Sequence, residues 1–236
     1  MDRREMLGAL GAGLATGGAG LVAADHEEAK GGPNKFLAPV QGLHHHFCGI
    51  HIAKNNPKSQ FIVQHYCAPL GEQMHQCVLF DSTEKGAKLL GVEYIIDDKL
   101  YRALPAKEKK YWHPHTYEVL GGGLIAPGLS EADELKFMKG LLTTWGKTWH
   151  TWPDPTAAVP LGEPLLMWAL TGDGQGDNGV IARRDKQFKV SITTLRKKRV
   201  AAIGLEVPQI PAPGSIDTVG RQWTASGEDK PTPRAE

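Results

Sequence analysis

The sequence predicts an α+β fold: a mostly antiparallel sheet with a few packed helices, in a single domain. Two observations carry this expectation. Strand-length apolar runs, Gly49 to Ala53, Gln60 to Cys67, His75 to Phe80 and Lys88 to Ile96, follow one another with short turns between them. Such spacing leaves no room for the crossovers that parallel pairing requires. Helical periodicity is strong at few places, chiefly from Ser130 onward, so helices are interspersed among strands. With 236 residues, 41% of them hydrophobic and 22% charged, the chain can bury one good core.

The elements follow in order. Residues 1–24 read as a signal peptide, because Arg3-Arg4 precede a glycine-rich, weakly apolar stretch from Leu7 that closes on Val22-Ala23-Ala24. This is the twin-arginine pattern, with cleavage expected after Ala24; a Sec signal or an uncleaved anchor is the alternative. The expected location is therefore exported, periplasmic or extracytoplasmic, where disulfides persist. Residues 25–42 are polar and glycine-bearing, a linker. The domain spans 43–204. Residues 205–236 carry Pro208, Pro211, Pro213, Pro231 and Pro233 and read as a flexible tail.

Within the domain, Asn55-Asn56-Pro57 is a turn signal joining the first two strands into a hairpin. Asp97-Asp98 caps a short helix through Leu104, and Pro105 opens another short segment ending near Trp112. Tyr117 to Ala126 reads as a strand loosened by Gly121-Gly122-Gly123. Ser130 is an N-cap, and Leu135, Met138, Leu142 and Trp145 follow at helical spacing. Lys147 and His150 would then lie just beyond that helix. Leu165 to Leu170 reads as a buried strand. Gly172-Asp173-Gly174-Gln175-Gly176 lacks a phosphate-loop lysine and reads as a turn. Ser191 caps a last helix, whose Arg196-Lys197-Lys198-Arg199 run is expected on a solvated face.

Composition excludes some functions. A formal charge of +1 gives nucleic-acid binding no support. No strongly apolar run long enough to span a bilayer occurs after the N-terminus, so no transmembrane span is expected in the mature chain. No nucleophile elbow is present.

The histidines point to chemistry. Nine of ten fall between His44 and His150, and each cysteine sits two residues after a histidine: His46 and Cys48, His65 and Cys67, His75 and Cys77. On a strand such pairs share a face. A Cys67–Cys77 bridge across a hairpin is one arrangement of the three thiols, which the sequence leaves open. His113-Pro114-His115-Thr116-Tyr117-Glu118 is the sharpest local motif. Two histidines and a carboxylate suit a divalent transition metal such as zinc, iron or copper. The candidate ligands are His46, His65, His113, His115, Glu118 and His150. Glu118 has the wrong parity for the strand face of His113 and His115, unless Pro114 breaks the strand. Glu93 is either a buried hydrogen-bonded carboxylate or an outer partner for a ligating histidine. Trp149 and Trp152 read as packing residues. The opposing reading is a histidine network that only builds the fold.

Several strings occur in one order: HHFCGIH at 45–51, HYC at 65–67, QCVLFDS at 76–82, LLGVEYII at 89–96, WHPHTYEV at 112–119, GKTWHTW at 146–152 and PLGEP at 160–164. Over roughly residues 43–200 the chain resembles the oil body-associated protein family, a domain of unknown function. Together with the signal, this implies a bacterial, exported member. The resemblance places His45, His46, His51, His65, His113, His115 and His150, and all three cysteines, within the family pattern. His44 and His75 lie outside it. It supplies no reaction, so whether the chain is an enzyme stays open and any small-molecule ligand stays unnamed. The link of plant members to seed oil bodies implies peripheral lipid contact or an envelope-associated structural role. The long apolar hairpin of oleosin-type proteins is missing.

Overall fold

A computed structural model describes residues 37–54, 56–208, 221–222 and 230–231. The expected signal, most of the linker and most of the tail lie outside the described residues. The strands are β1 (His45–Ala53), β2 (Asn56–Pro69), β3 (Met74–Phe80), β4 (Leu89–Asp97), β5 (His113–Pro114), β6 (Thr144–His150) and β7 (Leu165–Ala169). The helices are α1 (Ala38–Gln41), α2 (Asp98–Ala103), α3 (Ala106–Lys109), α4 (Thr116–Leu120), α5 (Glu131–Leu141), α6 (Asn178–Phe188) and α7 (Ile192–Ile203). In the tail, Arg221–Gln222 and Lys230–Pro231 form a small antiparallel pair, β8 and β9.

The mostly antiparallel sheet is present, but it is a barrel rather than an open sheet with helices packed on it. The order β4-β3-β2-β1-β7-β6 closes through a pairing of β4 with β6, and β5 attaches to β6. Six strands thereby shed their free edges, the usual danger of a sheet. Closure also fixes a single interior. The register pairs Phe47 with His65, His65 with Leu79, Leu79 with Gly91, Gly91 with His150, and His51 with Ala169. Because side chains alternate, one inward set runs round the barrel: Phe47, Gly49 and His51; Val63, His65 and Cys67; Cys77 and Leu79; Gly91, Glu93 and Ile95; Gly146, Thr148 and His150; Met167 and Ala169. Polar groups in this set occupy a core position, which places the site inside the barrel.

The caps at the expected positions form. Asp97, Ser130 and Ser191 accept from the backbone N–H groups of Leu100, Asp133 and Thr194. Helix α5 stops at Leu141, however, so Trp145 and His150 belong to β6. Tyr117 to Ala126 is not a strand. It is α4 and a glycine loop, fastened to β1 by one Cys48–Ile125 bridge. Gly122 has φ +80°, and a Cβ there would meet the Ile192 carbonyl oxygen at 2.5 Å, so only glycine serves. Helix α6, with Asp177 as its cap, was not read from the sequence.

The basic run on α7 is only partly solvated. Lys197 and Lys198 are exposed, but Arg199 is buried. Its guanidinium donates to the Val119 carbonyl and to Glu134. Buried Arg184 of α6 donates to the carbonyls of Gly122 and Gly123. Two charged forks from the outer helices thus hold α4 and its loop against the barrel.

Cys67 and Cys77 face each other across β2 and β3 and form a disulfide; Cys48 is free and buried. The bridge closes a loop over a separation of 10 residues, for which chain entropy gives roughly 3 kcal/mol. A Cys67→Ser, Cys77→Ser variant should melt about 5–10 °C lower. A thermal scan with and without reductant checks this: reductant should lower only the parent protein.

Candidate metal centre

Glu93 stands mid-strand on β4, with Val92 and Tyr94 exposed on either side of it. Alternation sends its carboxylate alone into the barrel. There Oε2 lies 2.9 Å from His65 Nε2. Oε1 lies 3.4 Å from His115 Nε2 and 3.5 Å from His113 Nε2. His65 Nε2 is also 3.0 Å from His51 Nε2, and His51 Nδ1 is 3.1 Å from His150 Nε2. His115 Nε2 lies 3.8 Å from Glu118 Oε1. All seven residues are buried.

Local structure explains how His115 and Glu118 meet. Strand β5 ends at Pro114, His115 occupies the N-cap position of α4, and Glu118 lies in its first turn. A helical separation of three puts both on one face, where a continued strand would have put them on opposite faces.

Gly146 provides the space. It lies on β6 between Ile95 of β4 and His113 of β5. A Cβ on Gly146 would sit 2.1 Å from Glu93 Oε1, 2.7 Å from His115 Nε2 and 2.8 Å from His113 Nε2. Three ligand-type atoms therefore converge on one small volume above a residue with no side chain. Zinc takes imidazole and carboxylate ligands at about 2.0–2.2 Å, so its tetrahedral ligands stand about 3.3–3.5 Å apart. The separations within the cluster are of that order.

Hydrogen-bond supply leaves Nε2 of His115 in need of a proton or a metal ion. The Thr144 hydroxyl donates to the Leu141 carbonyl at 2.7 Å, so its oxygen accepts from His115 Nδ1–H, also at 2.7 Å. A neutral His115 then turns a bare Nε2 lone pair toward Glu93 and Glu118, two groups that offer only lone pairs when ionised. A proton or a metal ion at Nε2 resolves the repulsion. Among the described residues, His113 hydrogen-bonds through neither ring nitrogen, and His65 Nδ1 and His150 Nδ1 have no partner. A buried polar atom left so costs about 1–3 kcal/mol. Two groups, His51 with His65 and Glu93, and Glu93 with His113 and His115, could each hold a metal ion.

Electrostatics agrees with the crowding. Burial pushes Glu118 up to about 8 despite the counteracting pull of His115. Burial opposes ionisation of Glu93 as well, but the hydrogen bonds and charges of His115 and His65 hold its carboxyl well below the usual range. Burial lowers His113 and His150 to about 3 and His51 well below the ordinary imidazole value. For His115 the bond to Glu93 and the charges of Glu118 and Glu93 outweigh burial and raise the value. The lowering favours the neutral form of His51, His113 and His150, the form that binds metals.

Of the six candidate residues, His65, His113, His115, Glu118 and His150 come together. His46 does not. Its ring is stacked on Tyr66 and bonded to Gln64. It lines, with His44, His45, His75, Phe137 and Thr144, a cleft of about 670 Å³. Of its lining residues, Thr144 is hydrogen-bonded to His115. Three members escaped the sequence list: His51, Glu93 as a central group, and Gly146. Strand parity with His65 across the hairpin was the available signal for His51; none marked Gly146.

Residues 37–202 match the family model described as a protein of unknown function (DUF1264). The chain is 37% identical to oil body-associated protein 1B of Arabidopsis thaliana over 72% of its length and 71% of that protein's. It is 37% identical to oil body-associated protein 1A of Zea mays, with 72% of each chain covered. Identity to oil body-associated protein 2A of Zea mays is 34%, over 77% and 72% of the two chains. No solved structure matches significantly.

Proposed function

The chain belongs to the family of proteins of unknown function designated DUF1264, and for this member we propose binding of a divalent transition metal ion at the buried histidine–glutamate centre. The observation that carries this reading is the convergence of Glu93 Oε1, His113 Nε2 and His115 Nε2 on the space above Gly146. A hydrogen-bonded structural network would satisfy both nitrogens of such rings; here His113 hydrogen-bonds through neither. His115 Nδ1 bound to Thr144 supplies the outer hydrogen bond that orients a ligating imidazole. Zinc, iron and copper all accept this donor set. Metal analysis of protein purified without a histidine tag is the test. Stoichiometric metal that declines in a His113→Ala, His115→Ala variant supports the reading. A folded, metal-free native protein ends it.

We propose further that the protein is exported through a twin-arginine signal at residues 1–24. Replacing Arg3 and Arg4 with lysine keeps the charge and removes the recognised pair, so fractionation should find the precursor in the cytoplasm. Unchanged export would point to a Sec signal instead.

The names of the plant relatives favour a second reading, peripheral association with lipid. Among the described residues no helix is long and apolar enough to cross a membrane. Flotation of the protein with liposomes separates the two readings.

A further inference from the structure

We infer that the centre holds two divalent cations, bridged by the Glu93 carboxylate. This rests on the metal reading above and specifies it. The two oxygens of Glu93 face different partners: Oε2 faces His65, which touches His51, and Oε1 faces His113 and His115. The two ligand groups share Glu93 and nothing else. Each group offers one ion a carboxylate oxygen and two imidazole nitrogens. Two ions satisfy both, with one carboxylate oxygen each.

The surroundings repeat on the two sides. His51 Nδ1 is held by His150 Nε2, and His115 Nδ1 by Thr144 Oγ1. Each group therefore has a ring whose far nitrogen is bonded, leaving Nε2 free to ligate. Glu118 adds a second carboxylate to the His115 side. Gly49 of β1 stands beside both groups. A Cβ there would lie 3.5 Å from both Glu118 Oε2 and His65 Cε1. Paired ions in proteins stand about 3.5–4 Å apart, a span one bridging carboxylate covers.

The full-length chain, stripped with chelator and reloaded with cobalt(II), tests this by elemental analysis and electron paramagnetic resonance. The expected result is two equivalents per chain with a magnetically coupled signal. A His51→Ala, His65→Ala variant and a His113→Ala, His115→Ala variant should each keep one equivalent and lose the coupling. Circular dichroism establishes that each variant is folded; should either fail to fold, the parent stoichiometry decides alone. One equivalent in the parent, or two without coupling, overturns the bridged pair and leaves the single-metal reading standing. No cobalt on a folded parent chain overturns both.

Discussion

Gly146→Ala is expected to abolish the centre. The added methyl would sit 2.1 Å from Glu93 Oε1 and under 3 Å from two imidazole nitrogens, so the carboxylate or the strand has to move. The strand cannot retreat easily, because β6 is hydrogen-bonded to β4 on one side and to β5 and β7 on the other. Overpacking a tight core costs about 1–3 kcal/mol, and here the displaced group is a buried charge, so a loss at or above the top of that range is expected. Bound metal should vanish with it. Gly140→Ala on α5 is the control: nothing lies within 4 Å of its added Cβ, and replacing a helical glycine should stabilise by about 0.5–1 kcal/mol. Thermal melting and metal content of the two variants give the answer. A Gly146→Ala protein that keeps its metal and melting temperature would show that no ligand sits where the geometry puts it.

Glu93→Gln has the second large effect. The amide keeps the size of the carboxylate and removes the one charge that four histidines approach within 3.5 Å or at one remove. Its NH₂ end would also face imidazole nitrogens that are to serve as ligands. The variant is expected to bind no metal tightly. Metal bound at 100 times its dissociation constant stabilises a folded chain by about 2.7 kcal/mol, which for a domain of this size is about 5–10 °C in melting temperature. The parent protein should therefore melt that much higher with zinc than with chelator, whereas the variant melts at one temperature in both. A zinc-dependent rise of equal size in the variant excludes Glu93 as a ligand.

Much of the fold was legible because its signals are local. The β1–β2 hairpin, β3, β4 and β7 follow from alternation and turn residues, and the caps at Asp97, Ser130 and Ser191 from short polar side chains ahead of apolar runs. The errors arose where local signals compete. Leu142 and Trp145 continue the spacing of α5, yet the chain leaves the helix after Leu141 to pair as β6 with β4. The segment after His115 alternates enough to suggest a strand, but Arg184 and Arg199 secure it as a helical turn and loop from helices distant in sequence. Arg199 looked like part of a solvated run because its partners, Val119 and Glu134, lie about 65–80 residues away.

By itself the sequence determined the family, the antiparallel pairing of the early strands and the clustering of histidines that pointed to a metal. Tertiary structure alone decided which of them share a space. Parity tells which residues lie on one face of one strand, but only the closure of β4 on β6 makes those faces a single interior. That closure carried Glu93 from an outer-partner candidate to the middle of the cluster, brought in His51, left His46 in the outer cleft, and gave Gly146 its role. Each depends on pairing between segments far apart in the chain, whose register is set by the packing of the whole barrel rather than by any residue's neighbours.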